Sequence, residues 1–128
     1  MSNILKIYLD QGSAVVDESG NTIGEKNRVK RSQSSQTITW KLTSNAYKGS
    51  IKSFAWKPPY APEGTFGPPA LTPHKKRLNM SDLNNSASTK GDWKYQLKID
   101  VEGTTYTVVA STSTSATLAV TNPIIRNN

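Results

Sequence analysis

The residues that could do chemistry are few in this chain. It contains one histidine, His74, and no cysteine, which excludes disulfides, thiol nucleophiles and zinc–thiolate sites. His74 is followed by Lys75, Lys76 and Arg77, whose positive charges would repel a metal cation. A serine nucleophile would need His74 as its base, and no Gly-x-Ser-x-Gly segment between a strand and a helix is present to expose a serine. We therefore expect no catalytic residue and no metal site.

The acidic residues do not form a convincing catalytic pair. Asp100 and Glu102 alternate on one strand face, and paired carboxylates can hydrolyse glycosides. That face is predicted to point outward, with Lys98 close to both carboxylates. Ion pairs on a solvent-exposed face therefore account for the two acidic residues. The segment Asp82-Leu83-Asn84-Asn85, with Asp92, offers oxygen ligands for calcium but lacks the alternating acidic spacing and the glycine of a calcium-binding loop. The sequence thus predicts neither an enzyme nor a cofactor.

Two clusters of basic residues are candidate polyanion contacts. The chain has 16 Lys and Arg residues against 9 Asp and Glu, a net charge of +7. Rows of cations bind phosphate backbones by releasing counterions, but single-strand binding usually adds stacking aromatics, which neither cluster contains. Charged edge strands and loops also prevent edge-to-edge aggregation, and this role is enough to explain both clusters. We therefore do not expect nucleic acid to be the partner. The clusters are Lys26, Arg28, Lys30 and Arg31, and then Lys75, Lys76 and Arg77.

A proline-rich segment, residues 58–73, is the second candidate surface. It holds six of the seven prolines, which cannot donate to a β ladder, so it is predicted to be one long loop. Uninterrupted loops longer than about 12–15 residues are commonly functional or disordered. Trp56, Tyr60 and Phe66 lie on or beside it. Such aromatics can stack on a sugar, contact a partner, or fold back over the open end of the domain, and these alternatives stay open.

Alternation of apolar and polar residues predicts the strands that position these surfaces. Residues 4–9, 14–16, 51–56 and 104–110 are predicted strands, with a tight hairpin at Gly103, and residues 116–120 and 124–125 form the last one. In Ile51–Trp56 either of two faces could point inward, because a one-residue slip exchanges them. The clearest inward sets are Ile38, Trp40 and Leu42 within 36–43, and Trp93, Tyr95, Leu97, Ile99 and Val101 within 93–101.

Roughly seven or eight short strands without an amphipathic helix predict one domain, residues 1–128. We expect an all-β, immunoglobulin-like, antiparallel two-sheet sandwich. The segments Thr37-Ile38-Thr39-Trp40-Lys41-Leu42, Asp92-Trp93-Lys94-Tyr95-Gln96-Leu97 and Asn122-Pro123-Ile124-Ile125-Arg126-Asn127 resemble DP-EP, a small bacterial sandwich family, and more distantly bacterial inclusion-body sandwich proteins. The chain departs from that family in having Asn122 where Asp is usual and in lacking the closing Glu-Pro. The resemblance implies the fold and no established activity.

The function we expect is that of a non-enzymatic structural or interaction protein. We expect it to self-associate as a homo-oligomer, because an exposed edge strand or an ordered apolar loop offers a sandwich a simple contact. A carbohydrate-binding module that uses Trp56, Tyr60 and Phe66 is the alternative, and a weak polyanion or nucleic-acid binder is a further one. Residues 1–7 lack a secretory pattern and no stretch approaches the roughly 20 apolar residues of a membrane span, so we expect a cytoplasmic protein without a membrane partner.

Overall fold

Eleven strands form among the residues that the computed structural model describes, which are 2–10, 12–17, 28–29, 31–110 and 123–127. Two 3₁₀ turns, Ser44–Ala46 and Ala87–Thr89, accompany them. The described part of the chain contains no helix that is long and apolar enough to cross a membrane. The strands are β1 (Ser2–Asp10), β2 (Ser13–Asp17), β3 (Arg28–Val29), β4 (Gln36–Leu42), β5 (Ser50–Trp56), β6 (Ala70–Leu71), β7 (Arg77–Asp82), β8 (Gly91–Val101), β9 (Thr104–Thr107), β10 (Val109–Ala110) and β11 (Ile124–Asn127).

The strands form two sheets, which confirms the predicted all-β two-sheet sandwich. The first sheet has the order β10-β2-β1-β4-β7-β6, and the second has the order β3-β11-β8-β5, with β9 also paired to β8. Of the nine strand pairings among the described residues, three are parallel: β1 with β4, β2 with β10, and β3 with β11. Both sheets are therefore mixed, which differs from the wholly antiparallel sheets expected from the sequence. β1 and β4 run parallel because the chain leaves the first sheet after β2 and re-enters it at β4.

The core lies between the two sheets and uses the predicted inward faces. Trp40 on β4 and Tyr95 on β8 are fully buried, and Trp40 Nε1 donates a 2.9 Å hydrogen bond to Tyr95 Oη. Their rings meet edge to face with centroids 5.3 Å apart. Trp93 differs from the prediction, since it is only half-buried and its Nε1 donates to the Thr89 carbonyl at 3.1 Å. The other predicted inward residues are buried: Ile38, Leu42, Leu97, Ile99 and Val101.

A β-bulge in β5 resolves the register that the sequence left open. The pairing of β5 with β8 shifts between Ile51 and Ser53, so Lys52 lies in the bulge. Ile51 is buried before the shift, and Phe54 and Trp56 face the core after it. Both predicted faces are thus used in turn, because the extra residue moves the alternation by one position.

The hairpin predicted at Gly103 is present between β8 and β9. Glu102 and Gly103 form its two-residue turn with φ angles of 50° and 83°. Positive φ at both central positions gives a turn whose twist matches that of the paired strands, and glycine adopts it without steric cost. Val108 beyond β9 is buried and Tyr106 is half-buried. The predicted strand at 116–120 lies outside the described residues.

Replacing Trp40 tests this core. Trp40→Ala is expected to lower the free energy of unfolding by about 3–5 kcal/mol, because it removes a large buried aromatic and leaves a cavity. Urea denaturation followed by circular dichroism measures the change. Tyr47→Ala is the control: Tyr47 is 58% exposed and lies under the Lys76 ammonium, so its loss should cost less than about 1 kcal/mol. Equal midpoints for Trp40→Ala and the parent protein would show that Trp40 is not a core residue.

Candidate functional site

The proline-rich segment is paired to β7 along part of its length. Gly67 N donates to the Ser81 carbonyl at 3.0 Å, and Leu83 N donates to the Thr65 carbonyl at 2.7 Å. Phe66 and Asp82 form a β-bridge between these two bonds. Because β6 lies within the segment and pairs with β7, the stretch without strand pairing is shorter than the single long loop that the prolines predict.

The three predicted contact aromatics of this segment differ in their exposure. Trp56 and Phe66 are half-buried against the core, and their ring centroids lie 4.2 Å apart. Phe54 also meets Trp56 edge to face, with ring centroids 5.1 Å apart. Tyr60, by contrast, is 66% exposed. The structure therefore places Trp56 and Phe66 as a cover over the end of the core and leaves Tyr60 available for a ligand or partner.

Two concavities lie along β5 and the segment that follows it. The first, which we call the aromatic groove, has a volume of about 210 Å³ and is lined by Trp56, Tyr60, Ala61, Pro62, Glu63, Gly64 and Phe66. The second, the apolar cleft, has a volume of about 280 Å³ and is lined by Ile51, Lys52, Ser53, Phe54, Pro69, Leu71 and Leu78. The touching rings of Phe54 and Trp56 join the cleft to the groove. One side of the sandwich thus carries two adjacent depressions.

Exposed large hydrophobic residues concentrate on the same side. Among the described residues these are Tyr47, Tyr60 and Leu71. Tyr47 lies elsewhere, with the Lys76 ammonium 5.4 Å from its ring centroid. Tyr60 lines the aromatic groove and Leu71 lines the apolar cleft. Exposed apolar side chains at the rim of a concavity are typical of a binding surface.

The basic residues are only partly available for a polyanion. Lys76 is half-buried and its ammonium donates to the Gly49 carbonyl, so it has a structural role. Lys75 and Arg77 are exposed, as is Arg31 in the other cluster. Arg28 contributes backbone to β3, while its side chain and all of Lys26 and Lys30 lie outside the described residues. The polyanion contact stays a prediction.

The candidate catalytic residues His74, Asp100 and Glu102 lie in surroundings typical of a protein surface. His74 is exposed, and no group of three or more His, Asp or Glu side chains in the described part of the chain could hold a metal ion. Asp100 accepts a hydrogen bond from Thr105 Oγ1. Glu102 forms an exposed 2.8 Å ion pair with Lys48, which takes the place we expected for Lys98. Neither carboxylate lines the aromatic groove or the apolar cleft.

A buried polar cluster between the sheets was not predicted as such. Asn127 Nδ2 on β11 donates to Asp82 Oδ1 on β7 at 3.2 Å and to the Thr89 carbonyl at 2.9 Å. Thr89 Oγ1 donates to Asn84 Oδ1 at 2.8 Å, and Asn84 Nδ2 donates to the Val29 carbonyl at 2.9 Å. The cluster therefore joins β7 of the first sheet to β3 and β11 of the second.

Burial sets the acidity of the carboxyl in this cluster. Asp82 has no exposed surface, and this desolvation raises its pKa from 3.8 to about 7, although the hydrogen bond from Asn127 acts in the opposite direction. The sequence carried a signal for this position, since Leu78, Met80 and Asp82 alternate on one face of β7 and the first two are buried. By residue type alone, Asp82 is a candidate calcium ligand and not a core residue.

Comparison of the sequence with protein-family models and with curated proteins finds no match. The resemblance to DP-EP therefore stays a prediction that rests on the three quoted segments.

Replacing Phe66 tests its role as a cover. Phe66→Ala is expected to lower the free energy of unfolding by about 1–3 kcal/mol, less than for a fully buried aromatic because Phe66 is half-exposed. Tyr60→Ala is the matched control from the same segment, and its effect should stay within about 0.5 kcal/mol. Chemical denaturation at low protein concentration measures both. Equal losses for the two variants would contradict the division between covering and exposed aromatics.

Proposed function

We propose that this protein is a non-enzymatic interaction protein that binds a second copy of itself through the side bearing the aromatic groove and the apolar cleft. The observation that carries the proposal is the position of Tyr60, an exposed ring on a proline-rich segment beside an apolar depression. A planar ring on a pre-ordered segment can be buried in a contact with little loss of conformational entropy.

The shape of this side suits a two-fold contact. A two-fold dimer uses the same patch on both copies, so a patch has to be complementary to itself. Here the patch contains both a protruding ring, Tyr60, and a cleft lined by Phe54, Leu71 and other apolar side chains. Each copy can insert its Tyr60 into the cleft of the other, and both exposed hydrophobic residues are then removed from water.

The charges on this side also favour a second copy. Lys52 lines the apolar cleft and Glu63 lines the aromatic groove. In the two-fold arrangement each Lys52 approaches the other copy's Glu63, which gives two ion pairs and offsets part of the repulsion between two chains of net charge +7. Lys52 is available for this, because its 3.5 Å contact with Thr105 Oγ1 is long for a hydrogen bond.

Side-chain insertion is favoured over strand addition at this edge. β5 lies at the end of the second sheet, and its bulge and the exposed Lys52 interrupt the regular edge that a strand of another chain would need. β6 at the end of the first sheet is only two residues long. The contact we propose therefore depends on Tyr60 and the cleft rather than on new backbone pairing.

A carbohydrate-binding role is the second candidate, and the aromatic groove favours it. Trp56 and Tyr60 place two rings around a depression of about 210 Å³, with the Glu63 carboxylate at its rim. Stacking on aromatic faces and a hydrogen bond from a sugar hydroxyl to a carboxylate would suit a short glycan.

Finer predictions from the sequence belong to the same proposal. These are the immunoglobulin-like character of the sandwich, its relationship to the bacterial DP-EP family and its residence in the cytoplasm. The three quoted segments support the first two, and the third stays a prediction.

Self-association is tested by solution mass. Sedimentation of the parent protein should show a concentration-dependent dimer, and Tyr60→Ser should weaken association at least about tenfold, because aromatic anchors dominate such contacts. Tyr47→Ser replaces an exposed tyrosine away from the concavities and should leave the dimer intact. A parent protein that stays monomeric at millimolar concentration would contradict the proposal.

A charge exchange tests the geometry of the contact. Lys52→Glu and Glu63→Lys should each weaken the dimer, because each places like charges together in the two-fold arrangement. The double variant restores both pairs with reversed sign and should recover most of the affinity. If the double variant did not recover dimer affinity, the Lys52–Glu63 pairing would be ruled out. The role of Tyr60 would still be decided by the sedimentation of Tyr60→Ser.

The carbohydrate alternative makes a separate prediction. If the groove binds glycans, tryptophan fluorescence should change saturably with a panel of soluble oligosaccharides, and Tyr60→Ala should lower the affinity about tenfold or more by removing a stacking ring. Leu71→Ala, which alters the cleft and not the groove, is the matched control. A protein whose fluorescence does not respond to any glycan of the panel would contradict this role.

A further inference from the structure

Two oxygen atoms of the buried polar cluster have no hydrogen-bond partner in the part of the chain that the structure describes. Asp82 is 0% exposed and Asn127 is 1% exposed. Among the described residues, neither Asp82 Oδ2 nor Asn127 Oδ1 has a hydrogen-bond partner, although Asn127 Nδ2 donates both of its hydrogens. Both unpaired atoms are acceptors when Asp82 is ionised, so the site is short of one donor. Buried acceptors without a hydrogen-bond partner lower the stability of the fold. A hydrogen atom between these two oxygens would give each of them a partner.

The hydrogen bond between the two side chains indicates where that hydrogen can reside. It brings the carboxyl group of Asp82 next to the carboxamide of Asn127. A protonated carboxyl in this position accepts from the amide nitrogen through one oxygen and can donate from the other oxygen to the amide carbonyl. This is the reciprocal acid–amide pair, and it gives both unpaired oxygens a partner at once.

We propose that Asp82 carries a proton in the folded protein and pairs reciprocally with Asn127, so that the two sheets are joined by a pH-sensitive contact. Ionisation of Asp82 removes the donated hydrogen and sets a carboxylate oxygen against the amide oxygen, in a site that water does not reach. The contact between β7 and β11 then weakens, and β3, which pairs with β11, is loosened with it.

No charged side chain among the described neighbours of the Asp82–Asn127 pair is free to compensate an ionised Asp82. Gln36 on β4 pairs with Asp82, and Phe66 lies opposite Asp82 in the proline-rich segment. Thr89, in the second 3₁₀ turn, accepts a hydrogen bond from Asn127 through its carbonyl. None of these three side chains is charged. Arg126, next to Asn127 on β11, is paired at 2.9 Å with Asp92 on β8, so its guanidinium is already engaged.

The pH range of the contact follows from the burial of the carboxyl. The pKa of Asp82 is raised from 3.8 to about 7 in the folded protein. Between these values the folded state holds a proton that the unfolded chain has released, so the proton stabilises the fold. This stabilisation is full below the unfolded value and is lost as the pH rises through about 7.

The test compares the parent protein with Asp82→Asn. The amide of the variant can donate to Asn127 Oδ1 at every pH and so imitates the protonated carboxyl. The urea midpoint of the parent should fall between pH 5 and pH 8, whereas that of the variant should stay level and exceed the parent's at pH 8. Glu102→Gln, at the exposed carboxyl that pairs with Lys48, is the control and should retain the parent's pH dependence. A parent midpoint that does not fall, or a variant less stable than the parent at pH 8, would overturn the proposal.

A second measurement uses the parent protein alone and does not depend on how the variant folds. The carboxyl carbon resonance of Asp82 in ¹³C-labelled protein should titrate with a midpoint near 7, as the raised pKa implies. A midpoint below 5 would overturn the proposal. Addition of calcium chloride at pH 8 distinguishes a cation from a proton as the missing partner. Stabilisation by calcium that Asp82→Asn abolishes would assign the site to a cation and overturn the proton pair.

Discussion

The packing of Trp40 against Tyr95 is the contact on which the positions of both surfaces depend. It joins the two sheets through a buried hydrogen bond of 2.9 Å, and a continuous series of rings extends from it. Phe54 stacks on Tyr95 with centroids 5.2 Å apart, Trp56 meets Phe54, and Phe66 covers Trp56. The aromatic groove therefore has a floor that belongs to the core. Rings held by the core cannot turn outward without opening it, and this leaves Tyr60 as the groove's free aromatic.

The bulge at Lys52 links the core to the apolar cleft. Without the extra residue, β5 could not present Ile51 and then Phe54 and Trp56 to the same interior, because strand side chains alternate between faces. The bulge also places a cation on the rim of the cleft and interrupts the free edge of the sheet. The same local irregularity thus completes the core, discourages unspecific strand pairing and marks the cleft with a charge that a partner can recognise.

Regular alternation made β4 and most of β8 predictable from sequence, because each has one face in the core and one in solvent. The bulge in β5 was not predictable, since two registers were equally consistent with the residue types. The pairing of Thr65 and Gly67 with β7 was hidden by the prolines around it. Asp82 was missed because a carboxylate in an inward position contradicts the usual pattern, and its partner Asn127 is 45 residues away in sequence. Long-range pairs of polar residues leave no local periodicity.

Asp82 also connects the inter-sheet pair to the aromatic groove. Its backbone lies between the two hydrogen bonds that fix Thr65 and Gly67, and Phe66 lies opposite it in the β-bridge. The side chain of Asp82 reaches inward to Asn127, while the backbone of the same residue positions the ring that covers Trp56. Any displacement of β7 on ionisation of Asp82 would therefore be transmitted to Phe66 through these bonds. If the groove side forms the dimer contact, proton binding at Asp82 and association are thermodynamically linked, and each must change the affinity of the other by the same factor.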